Sequence, residues 1–378
     1  MKSVADKKKV LHVLDSLVPS SGVASMVVSL IEGLHSYRHE IAVYDVCDDH
    51  IEQYLNGFDC IVHKLPNVKQ RLGLDFGKEF SLLLKKNCYA VVHGHLLNSA
   101  FIYLREAKNM KVPSRIIHAH SAVGADSLLK RIRNKLLSIG IPRWATVHIA
   151  VSEEAARLAF SRRNRIAAKV LGNGISTDKF RYNNSIRHEV RRELGIGDDV
   201  ICVGNVARFS RLKNHKFLLD VFEAMYNSVK CVLVMVGNGV LEKEIKNATN
   251  DRNISNAVKF LGSRRDVNRL YQAFDVFILP SLSEGFGLVA VEAQCSGLGC
   301  VVSENVPKTV QCSDNISFLP LGDANIWAKT AIATAGRNRK DVEAGVQLVG
   351  LDAETMCSSV RNIYESSLGE AYFEWKSI

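Results

Sequence analysis

The chain has 378 residues, 47% of them apolar and 23% charged, and its 49 Lys and Arg against 39 Asp and Glu leave it at +10. That length supports two domains with a core each, and no apolar run approaches the ~18 residues of a membrane-spanning helix. Nine scattered cysteines without a C-x-x-C pair oppose a disulfide framework and point to reduced thiols in the cytoplasm. The basic start, residues 1–9, runs into residues 10–15, where His12 and Asp15 break the apolar run. It reads as a first strand rather than an export signal.

Helices are expected at 24–34 and 76–86, and strands at 10–14, 40–46, 90–93, 115–118 and 147–151. This alternation predicts a parallel sheet covered by helices. A second series begins at Ile201, with strands at 201–207, 232–236, 258–261, 276–280 and 300–303. Its helices are expected at 215–226, 240–248, 266–273, 288–296, 324–335 and 352–366. The fold class is therefore α/β, with two Rossmann-like domains at 1–180 and 199–370 and a linker within 172–198.

In the first series, Pro19-Ser20-Ser21-Gly22 follows the first strand and opens a helix. His93-Gly-His95 and His118-Ala-His120 each end a strand, and residues two apart on a strand face the same way. Four histidines raise the question of zinc, but no carboxylate or cysteine accompanies them at ligand spacing, so no metal is expected. Residues 128–139 are amphipathic and basic. They read either as a helix on anionic lipid or as a covering helix of the sheet. The net charge suits an anionic ligand or an anionic membrane face, and no aromatic-basic motif argues for nucleic acid.

The second series carries the denser signals. Glu284-Gly285-Phe286-Gly287-Leu288-Val289-Ala290-Val291-Glu292 follows the apolar strand at 276–280 and opens a helix at Leu288. Glycine lets backbone N–H groups approach an anion, and a helix N-terminus favours negative charge. Glu292 falls about one turn inside that helix, within reach of ligand hydroxyls. Phosphate on backbone and sugar on carboxylate is the chemistry of a nucleotide-sugar site, and strand-to-helix turns are where doubly wound sheets bind ligands. Arg208 and Lys213 follow the strand at 201–207. A nucleoside diphosphate needs fixed cations like these as it leaves. Gly237 and Gly239 mark a strand–helix turn, and Arg264 follows the strand at 258–261.

The pair Glu284…Glu292, with Gly-Phe-Gly-Leu after the first glutamate, resembles the E-x7-E motif of retaining glycosyltransferases of family GT4. Arg208…Lys213 resembles their R-x4-K element. The resemblance spans about 10–365, specific at 205–213 and 284–292 and loose elsewhere. It implies a GT-B fold, two Rossmann-like domains facing across a cleft, with the tail 371–378 packed back on the first.

For the site, the resemblance implies that Arg208, Lys213 and the amides of Gly285, Phe286, Gly287 and Leu288 hold the donor diphosphate. Glu292 would hold the ribose, and Glu284 the sugar near its reacting face. The segment around Arg264 would meet the nucleobase. Gly22 would approach the donor, although Ser21 stands where the family usually has another glycine. His120 would fall near the transferred sugar and His95 near the acceptor. The implied reaction runs on one face of the sugar, with the leaving phosphate taking the acceptor proton. It needs neither a protein nucleophile nor a metal cofactor, and UDP is the family's usual nucleotide. Residues 297–308 resemble the branch that builds bacterial capsules, exopolysaccharides and O-antigens. The implied partners are a nucleoside-diphosphate sugar and a glycan or lipid-linked acceptor, with peripheral contact at the inner face of the membrane.

Two other readings stay open on the sequence: a sugar-nucleotide epimerase of the same fold, and a catalytically silent sugar-nucleotide-binding subunit. A nicotinamide dehydrogenase is opposed by Ser20-Ser21-Gly22 standing where G-x-G-x-x-G would follow the first strand.

Overall fold

A computed structural model of the chain describes residues 7–19, 21–120, 141–337, 339 and 343–369. The chain divides into two compact units, Met1–Gly174 with Ala353–Ile378, and Ile175–Asp352. The basic stretch 128–139 and the tail 371–378 lie outside the described residues.

The first unit is built on a seven-stranded sheet. Its strands are β1 (Lys8–Leu14), β2 (Tyr37–Val43), β3 (Ile61–Lys64), β4 (Tyr89–Gly94), β5 (Ser114–Ala119), β6 (Val147–Ala150) and β7 (Lys169–Val170). They are parallel throughout, in the order β3-β2-β1-β4-β5-β6-β7. Helices cover both faces of such a sheet, so its central strands read as near-continuous apolar runs. β1 fits this, with Val10, Leu11, Val13 and Leu14 fully buried. The strand order reverses between β1 and β4, and His12 lies opposite His93 there.

The second unit has a six-stranded parallel sheet of β8 (Ile201–Val206), β9 (Cys231–Val236), β10 (Val258–Phe260), β11 (Val276–Leu279), β12 (Gly299–Ser303) and β13 (Ile316–Leu319). Its order, β10-β9-β8-β11-β12-β13, reverses between β8 and β11. Ligands of open α/β sheets bind outside the carboxyl ends of strands at such reversals. Leu218, Phe222 and Met225 of helix His215–Tyr226 pack with Trp327 of helix Ala324–Ala335 in one core cluster.

Three of the differences from expectation bear on how the units are built. The last helix, Ala353–Leu368, belongs to the first unit rather than to the second half of the chain. Its Met356, Cys357, Val360, Ile363, Tyr364 and Leu368 join the core built on β1, β2 and helix Gly22–Gly33. The expected linker contains helix Asn184–Glu193, which is tied to the second sheet. Arg187 and Arg191 of that helix pair with Asp275 at 2.5 and 3.0 Å, and Asp275 also accepts the Cys202 N–H. A carboxylate with that many partners is an anchor. Finally, β2 starts at Tyr37, ahead of the apolar run, because Tyr37 packs edge-on to Tyr364 and His39 finds buried partners. Among the described residues, no helix is long and apolar enough to cross a membrane.

Candidate active site

The loop after β8 and the loop after β11 meet at the reversal of the second sheet. Asn205, fully buried, donates from Nδ2 to the Ile278 carbonyl at 2.8 Å. The Leu282 N–H reaches the Leu212 carbonyl at 2.7 Å. Gly237 closes the neighbouring turn at φ +135°, where a Cβ would stand 2.1 Å from the Ala207 carbonyl oxygen. Only glycine fits that approach.

On this frame Lys213 Nζ lies 2.5 Å from Glu284 Oε1. The Ser281 hydroxyl donates to the same oxygen at 2.7 Å, and the Ser303 hydroxyl holds the Ser281 carbonyl at 2.6 Å. Glu284 is buried, with 8% of its surface exposed. Its second oxygen, Oε2, makes no hydrogen bond or ion pair among the described residues. Arg208 is exposed on the same loop as Lys213, and its guanidinium makes no hydrogen bond or ion pair among the described residues.

Gly287 caps helix Leu288–Cys295 at φ +91°, the left-handed conformation that favours glycine. The first N–H groups of a helix lack intrahelical partners. Phe286 beside it is buried. Glu292, half-buried in the helix, accepts from the Tyr271 hydroxyl at 3.0 Å. Burial lifts its carboxyl from the usual 4.5 to about 7, with the Tyr271 hydrogen bond pulling the other way. Arg264 is not loose: it forms a two-pronged pair with Asp266, both distances 2.7 Å.

The remaining predicted residues lie in the first unit. Gly22 starts helix Gly22–Gly33, whose N-cap Ser21 accepts from the Ala24 N–H at 3.2 Å. A Cβ at Gly22 would meet nothing within 4 Å, so no protein neighbour demands glycine there. His95 follows β4, fixed to β1 by its N–H to the Val13 carbonyl. His95 Nδ1 and His120 Nε2 are 3.0 Å apart.

These two belong to a larger histidine group, buried except at His120, which is half-buried. His12 Nδ1 lies 3.2 Å from His95 Nε2, His12 Nε2 lies 3.0 Å from His39 Nδ1, and His39 Nε2 lies 3.2 Å from the Leu34 carbonyl. His93 bonds the Tyr364 hydroxyl at 2.8 Å. The trios His12, His93, His95 and His95, His118, His120 each bring one ring nitrogen apiece within 4.8 Å of one another, close enough to converge on an ion. Burial holds all of these imidazoles neutral, with His93 and His120 at about 3 and His39 at about 4.

Two family models match: "Glycosyltransferase Family 4" over residues 20–179 and "Glycosyl transferases group 1" over residues 186–314. A protein of Bacillus subtilis (strain 168) named as a glycosyltransferase, EpsF, is 30% identical over 384 aligned positions, covering 96% of this chain and 98% of its own. The chain belongs to the GT4-type glycosyltransferases. A further member, the Escherichia coli UDP-Gal:alpha-D-GlcNAc-diphosphoundecaprenol alpha-1,3-galactosyltransferase, is 26% identical over 324 positions, 80% of this chain and 81% of its own. Crystals of Anabaena HepE with UDP-glucose superpose with a TM-score of 0.80 at 20% identity, over 95% of this chain and 99% of that one. The fold is thus GT-B, and this GT4-type enzyme places Arg208, Lys213, Glu284, the 285–288 turn and Glu292 within one unit. Gly22, His95 and His120 lie in the other.

Sequence reasoning missed Ser281, Tyr271, His12 and His39. A serine three residues before Glu284, and histidines inside buried strands, were the available signals for three of them. Tyr271 carries none, because its link to Glu292 is made only by folding.

Proposed function

We propose that this glycosyltransferase moves a hexose from a UDP-sugar to a saccharide acceptor carried on a lipid diphosphate, with retention at the anomeric carbon. The observation that carries the reading is the Lys213–Glu284 pair beside the start of helix Leu288–Cys295, at the strand reversal. Lys213 spends one N–H on Glu284 and keeps two for phosphate. Arg208 adds an exposed fork of donors. Both charges stabilise the diphosphate as its bond to the sugar breaks, which supplies the role a metal fills elsewhere. The amides of Gly285, Phe286, Gly287 and Leu288 receive the same phosphates. Glu284 Oε2 takes a sugar hydroxyl, and Glu292 the ribose hydroxyls. Arg264 stands by the segment that meets the base.

The acceptor side falls to the first unit, with His95 there and His120 toward the transferred sugar. Departing phosphate accepts the acceptor's proton, so no protein nucleophile is required. Support for donor and acceptor comes from the relatives: the E. coli enzyme's name specifies UDP-Gal and a diphosphoundecaprenol acceptor, and HepE was crystallised with UDP-glucose. A Campylobacter jejuni relative, 25% identical over 222 positions, likewise has a diphospho-undecaprenol acceptor in its name. A net charge of +10 suits peripheral contact with the anionic inner face of the membrane, where such acceptors are held.

The test is incubation of the full chain with UDP-hexoses and a short-chain polyprenyl-diphosphate sugar, in the presence of EDTA. An α-linked product from an α-donor supports the reading. An inverted product, or a donor converted to its epimer without acceptor, contradicts it.

A further inference from the structure

His120, His95, His12 and His39 form an unbroken chain of ring-to-ring contacts at 3.0, 3.2 and 3.0 Å, ending 3.2 Å from the Leu34 carbonyl. Every junction has the same polarity: Nε2 of one ring faces Nδ1 of the next, and the last Nε2 faces the carbonyl. A carbonyl can only accept, so His39 carries its proton on Nε2. All four rings are neutral, because burial disfavours the imidazolium. A neutral ring with Nε2–H has a bare Nδ1. His39 Nδ1 therefore accepts from His12, His12 from His95, and His95 from His120. Reversing one ring alone would set N–H against N–H at one junction and lone pair against lone pair at the other. The assignment is thus imposed from one end. At the other end His120 Nδ1 is buried and has no hydrogen-bond partner among the described residues.

We infer that His39, His12 and His95 are positioning residues that relay the Leu34 carbonyl's demand along the sheet, so that His120 presents a lone pair and accepts a hydrogen bond from a ligand hydroxyl. The relay runs from β2 through β1 to the ends of β4 and β5, across the reversal point of the first sheet. It excludes a role for His120 as a donor to a phosphate oxygen through Nδ1. The identity of the hydroxyl, on the transferred sugar, rests on the transferase reading above; the tautomers do not.

The full chain labelled with 15N-histidine, studied by long-range 1H–15N correlation at neutral pH without ligand, tests this directly. All four rings should show a protonated Nε2 and an unprotonated Nδ1. Substitution His39→Phe removes the link to Leu34 and should convert His120, three rings away, to a mixture of tautomers. Transfer should then fall about tenfold in kcat, the worth of one hydrogen bond, with KM for the donor unchanged. A wild-type His120 protonated on Nδ1 overturns the relay, and the wild-type spectrum decides even if His39→Phe fails to fold. Stoichiometric Zn2+ uptake that moves the His95 and His120 resonances also overturns it, because those nitrogens would then be ligands. So does a folded His39→Phe protein whose His120 spectrum is unchanged. Failure on any of these leaves transfer from UDP-sugar intact. Tautomers as assigned in a chain without transferase activity would instead retain the relay and sink the functional reading.

Discussion

Lys213 Nζ stands 2.5 Å from Glu284 Oε1, joining the loop after β8 to the loop after β11. Glu284 is buried, so removing the cation leaves a carboxylate held, among the described residues, by Ser281 alone. Lys213→Met should cost about 1–3 kcal/mol of stability, the penalty of an under-partnered buried acceptor. Lys213→Met with Glu284→Gln should cost less than the sum of the two single changes, because the neutral amide no longer needs the cation. Urea unfolding of the four proteins checks both statements.

Arg208 separates function from stability. It is exposed and unpaired among the described residues, so Arg208→Ala should change stability by less than about 0.5 kcal/mol. If it steadies the leaving diphosphate, kcat/KM should fall by about 10²–10³-fold. Steady-state kinetics beside a melting curve makes the comparison.

Glu292 gives a pH signature. Its carboxyl titrates at about 7 in the folded chain, against an ordinary value of 4.5. The folded state therefore binds that proton more tightly than the unfolded chain. This contribution is fully present below the unfolded value and is lost as pH rises toward about 7. Glu292→Gln should remove that component of the pH dependence of the melting temperature. Donor affinity should move the opposite way, rising as pH passes about 7, since the ionised carboxylate is the stronger acceptor for ribose hydroxyls. In Tyr271→Phe, which deletes the hydrogen bond that opposes burial, the binding midpoint should shift further upward.

The sequence carried the site of the second unit further than that of the first. Strand ends, glycines and charged residues at the sheet reversal are local signals, so the two turns that carry Arg208, Lys213, Glu284 and residues 285–288 could be placed from the sequence. Helices at 215–226 and 324–335 were legible to the residue from their apolar spacing. Helix Asn184–Glu193 was not, because its mean hydropathy is low and Arg191 is buried by its bonds to Asp275 rather than by an apolar stripe. β3 was also missed, since Ile61–Lys64 is an edge strand with little burial. His39 was hidden for a related reason: a polar residue in a buried strand needs a partner, and that partner, His12, is distant in the chain.

The last helix was assigned to the wrong half because nothing local says where an amphipathic helix packs. Tyr364 measures how much the first unit depends on it. Fully buried, it meets Tyr37 edge-on and bonds His93 through its hydroxyl. Tyr364→Ala should destabilise by about 3–5 kcal/mol, as large aromatic truncations in cores do. Hydrogen exchange should show faster opening in β1, β2 and β4, while β8, β9 and β11 keep their protection.

In the proposed reaction the loop cations and the start of helix Leu288–Cys295 grip the diphosphate of a nucleotide donor. Calorimetric titration of UDP into the wild-type chain and into Arg208→Ala/Lys213→Ala tests it without needing the acceptor. Two lost charge-assisted contacts should weaken binding by at least ~100-fold, on the scale of 1.5–3 kcal/mol for each. Equal UDP affinity in a folded double variant would contradict the account.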